Sequence, residues 1–327
     1  MTGSPLQDAE FLPFQLDLAQ RRVLLLRLTA RQRADAAFLD ERAMPRSPHG
    51  VWAPLQAVVE EGLRLPSPAI GWIFHVGHCG STLLSRLLQA WPGQQVLREP
   101  LPLRALATVA FQRTLSPADT RVLLDALPRL WARPLDDARA MLVKATSSCN
   151  GLIEGLLATR PVDRVILLSM PLRGYLATLL KSPGSVEDVV ASTGERAAFL
   201  QAALQGATGM PSPRSAGEAC AMAWLAERMR FDALAAGSER VLRVDFEALL
   251  AQPRAVLSSV AAHLQLDPGP LDEAMASPWW HRYAKAAEHP YGIADRAHDQ
   301  QLAQARFAGE IAQGVAWVRG VSPQYAD

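Results

Sequence analysis

Ile73-Phe74-His75-Val76-Gly77-His78-Cys79-Gly80-Ser81-Thr82-Leu83-Leu84 is an apolar run that breaks at two glycines and restarts as an amphipathic helix. Beyond Thr82 the apolar residues Leu83, Leu84, Leu87, Leu88 and Trp91 recur at helical spacing, and Trp91-Pro92-Gly93 ends the pattern. A strand therefore feeds a helix through a tight turn. Gly77 and Gly80 permit positive φ, and the helix start directs unpaired N–H groups and its positive dipole end into the turn. That geometry binds phosphate. A glycine pair alone is as often a plain turn, but Ser81 and Thr82 add two hydroxyls that cap the helix or donate to phosphate oxygens. The loop of nucleoside-triphosphate enzymes, GxxxxGK[ST], needs a lysine where Ser81 stands, so a standard ATP or GTP loop is disfavoured.

The chain around this loop has 327 residues, of which 49% are hydrophobic, enough for a substantial core in one large domain or a core with an appendage. Lys+Arg 33 against Asp+Glu 32 leaves a net charge of +1, which gives no global attraction to nucleic acid or anionic membrane. Any basic site must be local. Only three of the cations are lysines, Lys144, Lys181 and Lys285. Cys79, Cys149 and Cys220 are an odd number without metal-ligand spacing, which argues for a reducing compartment and no disulfide framework. Met1 to Pro5 has neither a basic nor an apolar leader pattern, and no apolar run is long enough to span a bilayer. The expected location is the cytoplasm.

Residues 1–66 read as an N-terminal extension packed on the core, with a β-like run at Val23–Leu28, a helix from Thr29 to about Arg42 and no evident chemistry. Pro66-Ser67-Pro68 marks the boundary of the domain at 67–327. From Gly71 onward short apolar runs alternate with helical periodicity, which predicts βαβ units and a three-layer α/β/α fold on a parallel sheet of about five strands. The predicted strands are 71–76, 95–98, 140–144, 164–168 and 240–244. Helices are expected at 101–111, 117–131, 150–158, 172–181, 217–235 and 253–264, with one long helix over 294–319. The Gly-, Ser- and acid-rich stretch 181–193 reads as a loop or lid.

Ligands in a parallel sheet sit beyond the carboxyl ends of the strands, so residues at those ends are the site candidates. Val96-Leu97-Arg98-Glu99-Pro100 is a strand ending in a carboxylate, suited to a general base; the competing reading is a surface acid paired with Arg98 or Arg104. Met141-Leu142-Val143-Lys144 ends in a lysine before a run of hydroxyls, either a cation for the crevice or a snorkelling strand end. Asp245 ends an apolar strand as a magnesium ligand of a kinase would, which keeps an ATP- or GTP-using kinase as the alternative.

His78-Cys79-Gly80-Ser81-Thr82 followed by an apolar helix resembles the phosphosulfate-binding loop of the sulfotransferase family, bacterial type. The resemblance runs from about residue 70 to the end. It implies a P-loop-type fold, 3′-phosphoadenosine 5′-phosphosulfate as donor, no metal, and a small-molecule or carbohydrate-like acceptor. It also implies that Gly77, His78, Cys79, Gly80, Ser81 and Thr82 hold the donor, that Glu99 is the base, and that His78 or Lys144 stabilises the leaving phosphate. The family usually has lysine or arginine where His78 stands; histidine either carries that charge or only shapes the loop. Leu168-Ser169-Met170-Pro171-Leu172-Arg173 resembles the family's 3′-phosphate segment, with Ser169 in the arginine position and Ala177 in the serine position; Ser169, Arg173, Thr178 and Lys181 are the candidate substitutes. Trp279-Trp280-His281-Arg282-Tyr283-Ala284-Lys285 resembles the basic loop that closes the nucleotide site, so Arg282 and Lys285 are candidates there. Val241 to Leu250 resembles the late strand and helix of the family, in which Glu247 is structural. A non-catalytic nucleotide-binding protein on the same scaffold is the remaining alternative.

Overall fold

The structure, a computed structural model, describes residues 4–204 and 210–326. Its centre is a parallel sheet of five strands in the order β5-β6-β4-β7-β8. They are β4 (Ile70–His75), β5 (Gln94–Arg98), β6 (Ala140–Lys144), β7 (Arg164–Ser169) and β8 (Val241–Asp245), preceded by β1 (Phe11–Asp17), β2 (Arg22–Arg27) and β3 (Gly50–Pro54) of a separate antiparallel sheet. All five predicted core strands are present, within one residue or so at each end. Helices cover both faces of a parallel sheet, so its strands read as continuous apolar runs. Trp72, Ile73, Val143 and Val165 to Leu168 are fully buried accordingly.

From β4 the chain first crosses to β5 and returns to β6 on one side, then passes to β7 and β8 on the other. That reversal opens a crevice at the carboxyl end of β4, where open α/β sheets bind ligands. Parallel register places Lys144 level with Ile73 and Arg98, and Ser169 level with Asp245.

The helices at Leu101–Phe111 and Pro117–Trp131 match their predicted spans, and the latter is capped by the Ser116 hydroxyl. Three expectations are corrected. The stretch 181–193 is not a loop: Ser182 caps a helix Pro183–Ala191, and a second helix follows over Thr193–Ala203. The long C-terminal helix is two, Ile293–Arg306 and Ala308–Val321, broken at Phe307, because the first packs on Leu172–Leu179 and the second on Ala216–Gly237. The helix expected from Thr29 to Arg42 covers only Ala30–Asp35. It stops where the buried guanidinium groups of Arg86 and Arg98 claim the carbonyls of Ala34, Asp35 and Ala36.

Those bonds fasten the N-terminal segment to the sheet domain. Trp131 Nε1 adds another, donating to the Pro13 carbonyl at 3.0 Å, and Leu39 N donates to the Arg98 carbonyl at 2.7 Å. Apolar residues of β1 and β2 belong to the same hydrophobic cluster as the central sheet.

Candidate active site

A cavity of about 500 Å³ lies at the carboxyl end of β4, within the range of small-molecule sites. Its floor is the loop from Val76 to Leu83. Gly77 and Gly80 adopt φ of 95° and 76°, and His78 between them has φ of 52°. Gly80 serves as the cap residue of the helix Ser81–Leu88, and among the described residues no side chain bonds the first-turn N–H groups. They face the turn free to meet an anion. Thr82 Oγ1 is buried without a hydrogen-bond partner among the described residues. A buried hydroxyl left so is costly unless a ligand completes it.

His75 holds the loop from below. Its Nδ1 accepts from Gly77 N at 3.0 Å, and its Nε2 donates to the Ala145 carbonyl at 3.0 Å, which fixes the neutral tautomer. Burial, followed by repulsion from Lys144 and Lys285, pushes its pKa well below the ordinary value. His78 is lowered to about 4, by burial first and by the same two lysines after it. In the free protein His78 is therefore a neutral ring near pH 7, not the resident cation that the resemblance implies.

Glu99 and Lys144 form an ion pair at the ends of adjacent strands. Glu99 N also donates to the Lys144 carbonyl at 2.6 Å. Glu99 has φ of 55°, an uncommon angle for a side chain of its kind, which turns it out of β5 into the cavity. Its neighbour Arg98 is spent on Ser85 and on the N-terminal segment, so the pairing of Glu99 with Arg98 in the competing reading does not occur.

The cavity lining also takes in Thr178, Arg282 and Lys285, but neither Ser169 nor Arg173. Ser169 is buried and accepts from Arg228 Nη1 at 2.8 Å, while Arg173 is exposed on the outer side of its helix. Both therefore stand outside the lining of this cavity. Thr178 accepts from Gln300 Nε2 at 2.6 Å and donates to the Gly174 carbonyl at 2.8 Å. Cys79 contributes backbone to the loop, but its thiol turns inward to the Leu168 carbonyl and burial raises it to about 12. Arg282 opens a short hairpin of β9 (Arg282–Tyr283) and β10 (Ala286–Pro290), with Lys285 in its turn. Of the two tryptophans before it, Trp279 packs under Arg86 at 4.5 Å and Trp280 donates to the Ala274 carbonyl.

Sequence reasoning missed the wall contributed by the N-terminal segment. Phe38 and Arg42 line the cavity, with the Arg42 guanidinium 3.7 Å over the Phe38 ring and Lys285 Nζ 5.7 Å from the same ring. Nothing local marks them as functional. His75 was legible only as part of an apolar strand, although a histidine two residues before a glycine turn is a polar group that burial obliges to find partners. Asp245, the magnesium candidate, instead caps the helix Phe246–Ala251 by accepting from Ala248 N at 3.0 Å. Glu247 pairs with Arg296, a structural role as expected.

No protein-family model and no curated protein matches this sequence. Among solved structures the chain is similar to the sulfotransferase domain from the curacin biosynthetic pathway, at 14% identity and a TM-score of 0.44, over 74% of this chain and 98% of that one. It is also similar to the sulfotransferase STF1 from Mycobacterium tuberculosis H37Rv, at 17% identity and a TM-score of 0.41, over 78% and 81% of the two chains. A third is the sulfotransferase from Alicyclobacillus acidocaldarius, at 14% identity and a TM-score of 0.41, over 78% and 96%. At these values no residue of this chain acquires a role from theirs.

Proposed function

We propose that this protein moves a sulfuryl group from 3′-phosphoadenosine 5′-phosphosulfate to a hydroxyl or amine of a small-molecule or carbohydrate-like acceptor. The observation that carries this reading is one cavity faced both by a lysine-free, double-hydroxyl phosphate loop and by the Glu99–Lys144 pair. The unpartnered Thr82 hydroxyl and the uncapped helix start fit a phosphosulfate oxygen.

When bound, the donor supplies a sulfur whose bond to the bridging phosphate oxygen breaks as the acceptor oxygen or nitrogen bonds to it. Ser81, Thr82 and the first-turn N–H groups hold the phosphosulfate in place. Glu99 takes the acceptor's proton on its carboxylate. Lys144 neutralises the negative charge that collects on the departing phosphate, and its withdrawal toward that charge frees the carboxylate it pairs with at rest. Thr178 and Arg282 are the residues of the cavity that suit the remaining phosphate, whereas Lys285 stands beside Phe38.

Calorimetric titration with adenosine 3′,5′-bisphosphate against Mg²⁺–ATP tests the donor class. Tight binding of the bisphosphate with none of ATP is expected; the reverse sinks the reading in favour of the kinase, which the capping role of Asp245 disfavours. A mass-spectrometric screen of acceptors with the phosphosulfate donor then separates a transferase from a protein that only binds nucleotide.

A further inference from the structure

The strand order divides the cavity into two ends. Thr178, which follows β7, and Phe246, which follows β8, lie to one side of the loop on β4; Lys144 on β6 and Glu99 on β5 lie to the other. Neighbouring strands are about 4.8 Å apart, so Glu99 sits roughly 10 Å across the sheet from the loop strand. If the nucleotide runs from the loop toward β7, the acceptor enters at the β5 end.

That end is unusually cationic. Arg42 from the N-terminal segment, Arg104 from the first turn after Glu99, Lys144 and Lys285 line it, against Glu99 and the Asp40 that pairs with Arg42. Lys144 is matched by Glu99 and Arg42 by Asp40, which leaves Arg104 and Lys285 without a carboxylate partner among the described residues. Arg42 and Arg104 are exposed at the rim, and Phe38 provides an apolar floor beneath Arg42 and Lys285.

We propose that the acceptor bears an anionic group of its own, a carboxylate, phosphate or sulfate, bound by Arg42 and Arg104 while its hydroxyl or amine faces Glu99. This rests on the sulfuryl-transfer reading above and adds the substrate class. The resting state of the site agrees with it: burial and then repulsion from Lys144 lower the pKa of Lys285, with Glu99 opposing and Arg42 adding to the shift. An anion placed among these groups relieves that repulsion. A neutral acceptor would leave Arg104 and Lys285, contributed by separate segments of the chain, with no charge to meet.

The test uses the full-length protein saturated with adenosine 3′,5′-bisphosphate, so that the loop is filled, and titrates it calorimetrically with inorganic pyrophosphate as the anion probe. A second anion site is expected, weakening as salt is raised. Its affinity should fall about fivefold in Arg42→Gln or Arg104→Gln and about tenfold or more in the double variant, with bisphosphate affinity unchanged. Arg113→Gln, an exposed arginine away from the cavity, is the control and should change neither. In turnover, 4-hydroxyphenylacetate should outcompete p-cresol in the wild type and lose that advantage in the double variant. Pyrophosphate that fails to bind the loaded protein, or binds all variants equally, overturns this inference alone. Failure of the bisphosphate to bind overturns the donor reading first, and this inference with it.

Discussion

Glu99 owes its position to one backbone angle. A strand-end carboxylate that continued β5 would point along the sheet; φ of 55° instead turns it into the cavity, held by its N–H on the Lys144 carbonyl and by Pro100 behind it. Left-handed backbone at a non-glycine residue costs of order 1–3 kcal/mol, and it persists where the surroundings over-determine it. If Glu99 is the base, Glu99→Gln lowers kcat by about 10²- to 10⁴-fold while bisphosphate affinity in calorimetry stays unchanged. Intact turnover in that variant removes Glu99 from the mechanism.

His78 carries the pH dependence. Its folded pKa, about 4, lies below the ordinary 6.5, so between those values the unfolded chain binds a proton that the folded one does not. Stability therefore falls as pH drops from 6.5 toward 4, by at most about 1.4 kcal/mol per pH unit from this group. Urea unfolding across that window should show a shallower slope in His78→Gln, with the remainder due to His75 and His263, which are shifted in the same direction. A bound polyanion raises the His78 pKa, so bisphosphate binding should take up a proton near pH 5. Calorimetry in buffers of different ionisation enthalpy reads this directly, and the uptake should vanish in His78→Gln.

At the scale of elements, the Gly77–Thr82 loop depends on a contact between distant segments. A Cβ on Gly80 would stand 2.0 Å from the Phe246 ring, which is itself buried, and the residue has φ of 76° besides. Gly80→Ala thus carries both a steric and a conformational penalty, an expected loss of about 2–4 kcal/mol. Thermal denaturation should show the lowered Tm, and Gly80→Ala/Phe246→Ala should recover no binding of bisphosphate, because the turn strain remains. The helix Pro183–Ala191 illustrates how local chemistry can be legible and still be misread. Ser182-Pro183 is the same cap-and-proline signal as Ser116-Pro117, yet the glycine and acids after it suggested a loop.

For the molecule as a whole, residues 1–66 are neither a tether nor an ornament on the sheet domain. Arg98 is fully buried and directs its guanidinium to Ala34, Ala36, Ser85 and Gln89. Without the segment, a face of the hydrophobic cluster and the carbonyl partners of two arginines are lost together. A protein beginning at Ser67 is expected to be insoluble or unfolded by circular dichroism; a soluble, cooperatively melting truncation would overturn this. Arg98→Ala in the full chain should cost several kcal/mol in urea unfolding, because its partners are left buried and unpaired.

Five parallel strands, the glycine turn between β4 and its helix and the strand-end carboxylate and lysine were readable from the chain alone, because each is written in contiguous residues. Strands buried on both faces leave unbroken apolar runs, and a helix start after paired glycines leaves a local signature. Strand order, the Glu99–Lys144 pairing, the break at Phe307 and the placement of Phe38 and Arg42 beside Lys285 were decided only in three dimensions. Each depends on which distant surfaces meet, and the energy of burying them is carried by no single stretch of sequence. The same holds for the two vacated positions of the 3′-phosphate segment. The serine at 169 is buried, accepts from Arg228 fifty-nine residues away, and lies outside the cavity lining.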